Sequence, residues 1–144
     1  MKIVTLLLGT VLSTSAFAAS INFTYSGFEN GRNSYYSCDY AESQTEFHLE
    51  TLGATNIDVT CFGGITPFSI QPVSIRAKFD LPEVTGESSD VVEIEGDTWN
   101  PACGLNTTII NNILKKMKNV KVLKKRDSCA FATTNYYYKL DISK

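Results

Sequence analysis

The stretch VSIRAKFDL, residues 73–81, alternates apolar and polar residues over its whole length. Successive side chains of a β-strand point to opposite faces of a sheet, so this alternation puts every apolar residue on one face. The polar positions include Arg76, Lys78 and Asp80, whose charges suit a face in contact with water. The stretch therefore predicts a strand that is buried on one face only.

The residues before this strand predict a strand, a helix and a second strand. Alternating patterns over residues 21–25 and 57–61 indicate the two strands. Between them, Asp39 and Glu42 have the spacing of a capping box, which predicts a helix that begins at Asp39. Gly53 suits the end of that helix. The residues expected on its buried face are Ala41, Thr45, Leu49 and Leu52.

The second half of the chain repeats this order. Val92 and Ile94 indicate a strand, and Asn100-Pro101 is a plausible helix start because proline is tolerated in the first turn. Apolar residues then follow at helical spacing, and two further strands are expected near residues 120–122 and 136–142. The residues at helical spacing are Leu105, Ile109, Ile113 and Met117.

The predicted fold class is α+β, with a duplicated β-α-β-β unit in half-repeats 19–82 and 90–144. Two helices packed on one face of a mainly antiparallel sheet form a stable two-layer arrangement. By topology this arrangement is similar to a ferredoxin-like plait with extra strands. The metal-carrying domains of that topology use a cysteine pair that this sequence lacks.

Residues 1–18 have the pattern of a secretory signal peptide. Lys2 is positively charged, residues 3–11 are almost entirely apolar, and Ala16 and Ala18 occupy the small-residue positions of a cleavage site. The apolar run is shorter than the roughly 20 residues that cross a bilayer. We therefore predict cleavage after Ala18, a periplasmic or secreted location, and a single disulfide-bonded α+β domain over residues 19–144 without a transmembrane segment.

All four cysteines follow the predicted cleavage site. An even number of cysteines in an exported chain indicates two disulfides, for which three connectivities exist. The cysteines occupy matching positions of the two half-repeats, which favours Cys38–Cys61 and Cys103–Cys129. The sequence contains no C-x-x-C motif, so we expect neither a zinc ribbon nor a redox site of the thioredoxin type. No metal and no cofactor are predicted.

Charge is divided unevenly along the chain. Residues 19–97 contain 13 acidic and 3 basic side chains, whereas residues 98–144 contain 2 acidic and 9 basic side chains. A basic cluster of this kind steers anionic partners, although cations near the end of a helix are also favoured by its dipole. Seven of the nine bases lie within residues 115–126. The candidate binding residues are these seven bases and one tyrosine of the last strand: Lys115, Lys116, Lys118, Lys121, Lys124, Lys125, Arg126 and Tyr137.

Export, disulfides and charge segregation together favour a small binding protein that is not an enzyme. The expected partner is an envelope or extracellular protein, an acidic glycan or lipid head groups. Nucleic acid is disfavoured, because the chain is predicted to be exported and its net charge is −2. The sequence leaves the oligomeric state open.

Two alternatives remain open. Glu93, Glu95 and Asp97 share one face of a predicted strand and could act as carboxylates of a small envelope hydrolase. The chain could also be an enzyme inhibitor that presents a loop, either Glu83–Asp90 or Phe62–Gln71. No catalytic residues are assigned, because the single histidine, His48, has no nucleophile motif to accompany it. We expect its ring to pack at the edge of the core with one nitrogen in contact with water.

Overall fold

A computed structural model describes residues 16–29, 32–96, 102–129 and 135–144. The first half of the chain contains β1 (Phe17–Tyr25), β2 (Phe28–Glu29), β3 (Arg32–Asn33), α1 (Cys38–Thr51), β4 (Thr55–Ile65) and β5 (Ile70–Leu81). The second half contains β6 (Ser89–Glu95), α2 (Cys103–Leu114), β7 (Val120–Arg126) and β8 (Tyr137–Ser143). Apart from the short hairpin of β2 and β3, the two halves have the same order of elements.

The strands form two separate three-stranded antiparallel sheets and the β2–β3 hairpin. The first sheet has the order β1-β5-β4, and the second has the order β6-β8-β7. In each sheet the last strand of the unit lies in the centre, between the strand that precedes the helix and the strand that follows it. The two halves therefore share both their order of elements and their pattern of strand pairing.

The α+β class and both predicted disulfides are confirmed. Cys38 is bonded to Cys61 and Cys103 to Cys129, with Cα–Cα distances of 5.4 and 5.7 Å. The separation into two sheets differs from the one sheet that the alternating patterns suggested. Alternation specifies which face of a strand is buried, but it does not specify which neighbour receives its backbone hydrogen bonds. The structure pairs strands only within each half, among the residues that it describes.

The core is continuous across the two halves. On β5, the apolar residues of the 73–81 stretch are all buried, as its alternation predicts. On β8, Tyr138, Leu140 and Ile142 are buried, and they belong to the same apolar cluster as the inward-facing residues of β5. The two helices contact each other, and α2 also contacts β1 of the first sheet. The halves are thus joined by shared apolar packing.

Helix α1 begins one residue earlier than predicted and is capped by a different side chain. The Ser37 hydroxyl accepts a hydrogen bond from the backbone N–H of Tyr40 at 3.2 Å. The predicted capping box is wrong, because the Glu42 carboxylate instead accepts a hydrogen bond from the Cys61 N–H at 2.9 Å. Glu42 therefore connects α1 to β4. The start predicted for α2 at Asn100-Pro101 lies outside the described residues.

Strand β1 begins at Phe17, one residue after the start of the described part of the chain. Phe17 and Ala18 pair with Leu81 and Asp80 of β5, so β1 begins before the predicted cleavage point. Cleavage after Ala18 remains a prediction, and it would leave a strand that starts at Ala19. Residues 1–15 lie outside the described part of the chain. Among the described residues, no helix has the length and apolarity to cross a membrane.

Candidate functional site on the second sheet

Strand β7 lies at the edge of the second sheet and is largely in contact with water. Every residue from Lys121 to Arg126 is exposed. The register on β8 shifts between Val122 and Lys124, so Leu123 is an extra residue in the strand. In a regular strand, Lys121 and Lys124 would point to opposite faces. The bulge at Leu123 places them on the same face.

We call the outward-facing residues Lys121, Lys124, Arg126 and Tyr137 the basic face. Lys121 lies opposite Asp141, Lys124 opposite Lys139, and Arg126 opposite Tyr137. These three positions of β8 alternate with the buried residues Tyr138, Leu140 and Ile142, so they face away from the core. The bulge thereby brings three bases of β7 onto the outward face that also carries Tyr137, Lys139 and Asp141 of β8.

Tyr137 lies between the acidic strand β6 and the basic strand β7. Its hydroxyl donates a hydrogen bond to Glu93 Oε1 at 3.0 Å, and Lys124 Nζ lies 5.8 Å from its ring centroid. Partial desolvation raises the pKa of Tyr137, and the hydrogen bond to Glu93 and the negative charges of Glu93 and Glu95 raise it further. Tyr137 is therefore a neutral hydrogen-bond donor at physiological pH, with a flat ring beside the bases.

The other predicted binding residues lie on different surfaces. Lys115 and Lys116 follow α2 and line cavities beside β1; Lys116 lines two, of about 550 and 380 Å3, and Ser20 lines both as well. Lys118 is exposed in the turn before β7. Lys125 lies opposite Tyr138 and forms an ion pair with Asp127 at 3.1 Å. The bases of the 115–126 segment are thus close in sequence but divided between at least two surfaces.

The candidate carboxylates lie on an open surface. Glu93 and Glu95 are exposed, and Glu93 forms an ion pair with Lys139 at 3.6 Å. Asp97 lies outside the described residues. Asp90 lines a cavity of about 220 Å3, where its carboxylate is paired with Lys144. Within the described residues, no three His, Cys, Asp or Glu side chains are grouped closely enough to hold a metal ion.

His48 is fully buried between the two helices. Its Nε2 lies 2.7 Å from Asn106 Oδ1 on α2, and its Nδ1 has no hydrogen-bond partner. The prediction of one nitrogen in contact with water is wrong, because the helix of the second half covers the ring. Burial lowers the pKa of His48, and the hydrogen bond to Asn106 opposes this shift only in part.

This burial predicts that acid destabilises the protein. In the unfolded chain, His48 binds a proton near its ordinary pKa of 6.5. In the folded chain this pKa is lower, so His48 stays neutral to a lower pH. The free energy of unfolding is therefore not reduced by His48 at pH values above 6.5. Below that pH it falls as the pH decreases, by at most about 1.4 kcal/mol per pH unit for one proton. Urea unfolding at about pH 7.5 and pH 5.5 measures the loss. His48→Gln should remove most of it, and an equal pH dependence in this variant would contradict the assignment.

The end of the β4–β5 hairpin is an exposed surface that the sequence predicts only as a possible loop of an inhibitor. Phe62, Ile65, Phe68 and Ile70 are all exposed at the end of the β4–β5 hairpin, within the predicted Phe62–Gln71 loop. The signal available in the sequence is a run from Val59 to Ile75 without a charged residue. The alternating pattern does not predict that these side chains are exposed, because such a pattern does not show where a sheet extends beyond the core.

The described residues thus offer several candidate features. Among them are the basic face, the buried contact between His48 and Asn106, and the exposed apolar residues at the end of the β4–β5 hairpin. No protein-family model matches the sequence, and no curated protein or solved structure matches it either.

Proposed function

We propose that this chain is an exported binding protein without enzymatic activity, whose basic face contacts an anionic macromolecular partner. The observation that carries the proposal is the exposed grouping of Lys121, Lys124 and Arg126 beside Tyr137. Such a surface attracts negative charge over several ångströms, and a tyrosine ring adds contact area with little loss of side-chain entropy. Two disulfides are consistent with a protein that works outside the cytoplasm.

The exposed carboxylates support binding rather than hydrolysis. Carboxylates that act on a small substrate usually lie in a concave pocket that encloses it. Glu93 is instead exposed and shares a hydrogen bond with Tyr137 and an ion pair with Lys139. Glu93 therefore orients Tyr137 at the border of the basic face.

An acidic segment of an envelope or extracellular protein is the partner that this surface fits best. The basic residues lie on a sheet edge with spacing close to that of alternate residues in an extended chain. A strand that carries an acidic residue at every second position could lie across them and place its carboxylates on all three bases.

A charge-reversal experiment tests the basic face. Lys121→Glu, Lys124→Glu and Arg126→Glu are combined in one variant, and the matched control combines the same change at Lys115, Lys116 and Lys118. We expect at least a tenfold loss of affinity in the first variant and about a twofold change in the control, because reversed charges repel at close range. Fluorescence anisotropy with a labelled peptide of alternating Glu and Val measures the affinity.

Salt and competing anions complete this test. Binding should weaken as salt rises from about 50 to 500 mM, since exposed charges are screened over a shorter distance. Heparin and phosphatidylglycerol vesicles serve as the glycan and lipid probes. Equal losses in both variants, or tighter binding to either alternative probe than to the peptide, would contradict the proposed partner.

A further inference from the structure

The cavity of about 220 Å3 beside Asp90 lies where the two halves of the chain meet. The first half contributes the ends of α1 and β5, and the second half contributes β6, the turn after α2 and the end of β8. Four of its six apolar lining residues are buried members of the core cluster. We call it the junction cavity. Its apolar lining consists of Leu52, Leu81, Pro82, Val92, Met117 and Ile142.

Two charged side chains lie at the rim of this apolar lining. Asp90 lies directly opposite Ile142 in the β6–β8 pair, and directly opposite residues of an antiparallel pair point to the same face. Because Ile142 is buried, Asp90 carries its carboxylate on the core-facing side of the second sheet. The Lys144 ammonium forms an ion pair with it, and the two side chains remain 60 and 54% exposed. The junction cavity thus combines an apolar interior with one acid and one base that solvent still reaches.

Hydrogen bonds hold the backbone around this rim. The Ser143 N–H donates to the Asn119 carbonyl at 2.9 Å, and the Asn119 carboxamide donates to the Ser143 carbonyl. The Lys144 N–H donates to the Ser88 carbonyl at 2.7 Å. Among the described residues, the charged groups of Asp90 and Lys144 are paired only with each other. A bound molecule can therefore take the place of this ion pair while the backbone stays as it is, so little entropy is lost on binding.

The volume of the junction cavity suits one phenyl ring with a short linker. An apolar cavity of about 150 Å3 in another protein holds a single benzene molecule. The junction cavity, at about 220 Å3, is larger and has room for a benzyl group or a branched alkyl group of similar size. Cavities that enclose drug-sized molecules begin at about 300 Å3, so a compound of that size does not fit inside.

The charges at the rim select a ligand that carries both signs. A ligand with only a carboxylate would bind Lys144 and leave Asp90 without its partner, and a ligand with only an ammonium group would do the reverse. A zwitterion instead replaces one ion pair by two. The existing pair is exposed, so breaking it costs little. In an α-amino acid both charged groups are attached to the carbon that carries the side chain, so they can stay at the rim while the side chain enters the cavity.

We propose that the junction cavity binds a free α-amino acid with a large apolar side chain, and that phenylalanine fits it best. The ligand side chain lies against Leu52, Met117 and Ile142. Its ammonium group binds Asp90, and its carboxylate binds Lys144. This site is separate from the basic face, because the junction cavity lies on the core-facing side of the second sheet and the basic face on the outward side.

Nuclear magnetic resonance of the isotope-labelled, disulfide-bonded protein tests this site. Titration with L-phenylalanine should shift the amide signals of Gly53, Val92 and Lys144 until they saturate. The expected dissociation constant lies between about 10 µM and 1 mM, as suits a ligand of about twelve non-hydrogen atoms. Three related compounds should bind at least about tenfold more weakly, because each lacks one recognised group. They are 3-phenylpropionate, which lacks the ammonium group, phenethylamine, which lacks the carboxylate, and L-alanine, which lacks the ring.

Two substitutions at the rim test the role of the charges. Asp90→Asn and Lys144→Gln should each raise the dissociation constant for phenylalanine at least about fivefold, because each removes one charge-assisted hydrogen bond. The matched control is Glu95→Gln, which changes an exposed acid of the same strand that does not line the cavity. This control should bind phenylalanine like the wild type. All three side chains are exposed, so the variants should fold normally.

The proposal fails in any of three cases. These are no saturable shift up to about 20 mM phenylalanine, equal affinity for 3-phenylpropionate or phenethylamine, or unchanged affinity in both rim variants. The variant with charge reversal at Lys121, Lys124 and Arg126 should bind phenylalanine normally. Failure of this site and failure of the proposed binding function are therefore separate results.

Discussion

Replacing Cys38 and Cys61 together is expected to lower the free energy of unfolding by about 3.5 kcal/mol, and removal of Cys103 and Cys129 should have a similar effect. The two disulfides close loops with sequence separations of 23 and 26 residues, so breaking either bond increases the entropy of the unfolded chain by nearly the same amount. Each one joins the first residue of a helix to the region of the following strand. Losing either bond should therefore loosen the attachment of a helix to its sheet.

Urea denaturation measures this effect. Cys38→Ser with Cys61→Ser suits the first bond, and alanine is preferable at Cys103, which is only 6% exposed, since a buried hydroxyl would add its own cost. Dithiothreitol should destabilise the wild type more than either variant, because each variant has one remaining bond to lose. A loss below about 1 kcal/mol in both variants would contradict the structural role of the disulfides.

Shortening a central core residue is expected to destabilise both halves of the protein. Ile75 on β5 and Leu140 on β8 are fully buried in the same cluster. Replacing either by alanine should cost about 2 to 5 kcal/mol, which includes lost burial and the cavity that remains. Because the cluster is continuous, the chain should still unfold in one cooperative transition.

Calorimetry and amide hydrogen exchange check this prediction. Ile75→Ala should reduce protection on β8 as well as on β5, and Leu140→Ala should do the reverse. Val122→Ala is the control, because this residue is 45% exposed, and its effect should remain within about 0.5 kcal/mol. Two separate transitions, of which only one moves in each variant, would show that the halves fold independently.

The patterns that predicted the fold correctly are local ones. Alternation over residues 73–81 specifies a buried face within a single strand, and the structure buries each apolar residue of that face. The cysteines were paired through their equivalent positions in the two half-repeats, and both bonds are present. The predicted capping box is wrong for two reasons. Ser37 and Asp39 both suit a helix start, and Ser37 is the residue that caps the helix. The carboxylate of Glu42 instead binds the backbone of the distant strand β4.

The arrangement of the candidate surfaces depends on distant contacts. The seven bases of the 115–126 segment have the same charge in sequence, yet the bulge at Leu123 decides which of them share a face. His48 is buried because α2 crosses α1 at Asn106, 58 residues away. Neither effect leaves a periodic pattern in the chain.

The amino-acid order alone specified the α+β class, the repeated β-α-β-β units, the buried faces of the strands and the two disulfides. These properties follow from side-chain spacing and from equivalent positions in the two halves. Only the tertiary structure decided that the strands divide into two sheets, that Lys121, Lys124 and Arg126 gather beside Tyr137, and that the hairpin end remains exposed. Backbone hydrogen-bonding groups are alike in every residue except proline, so strand partners, bulges and uncovered surfaces are determined by how the whole chain packs.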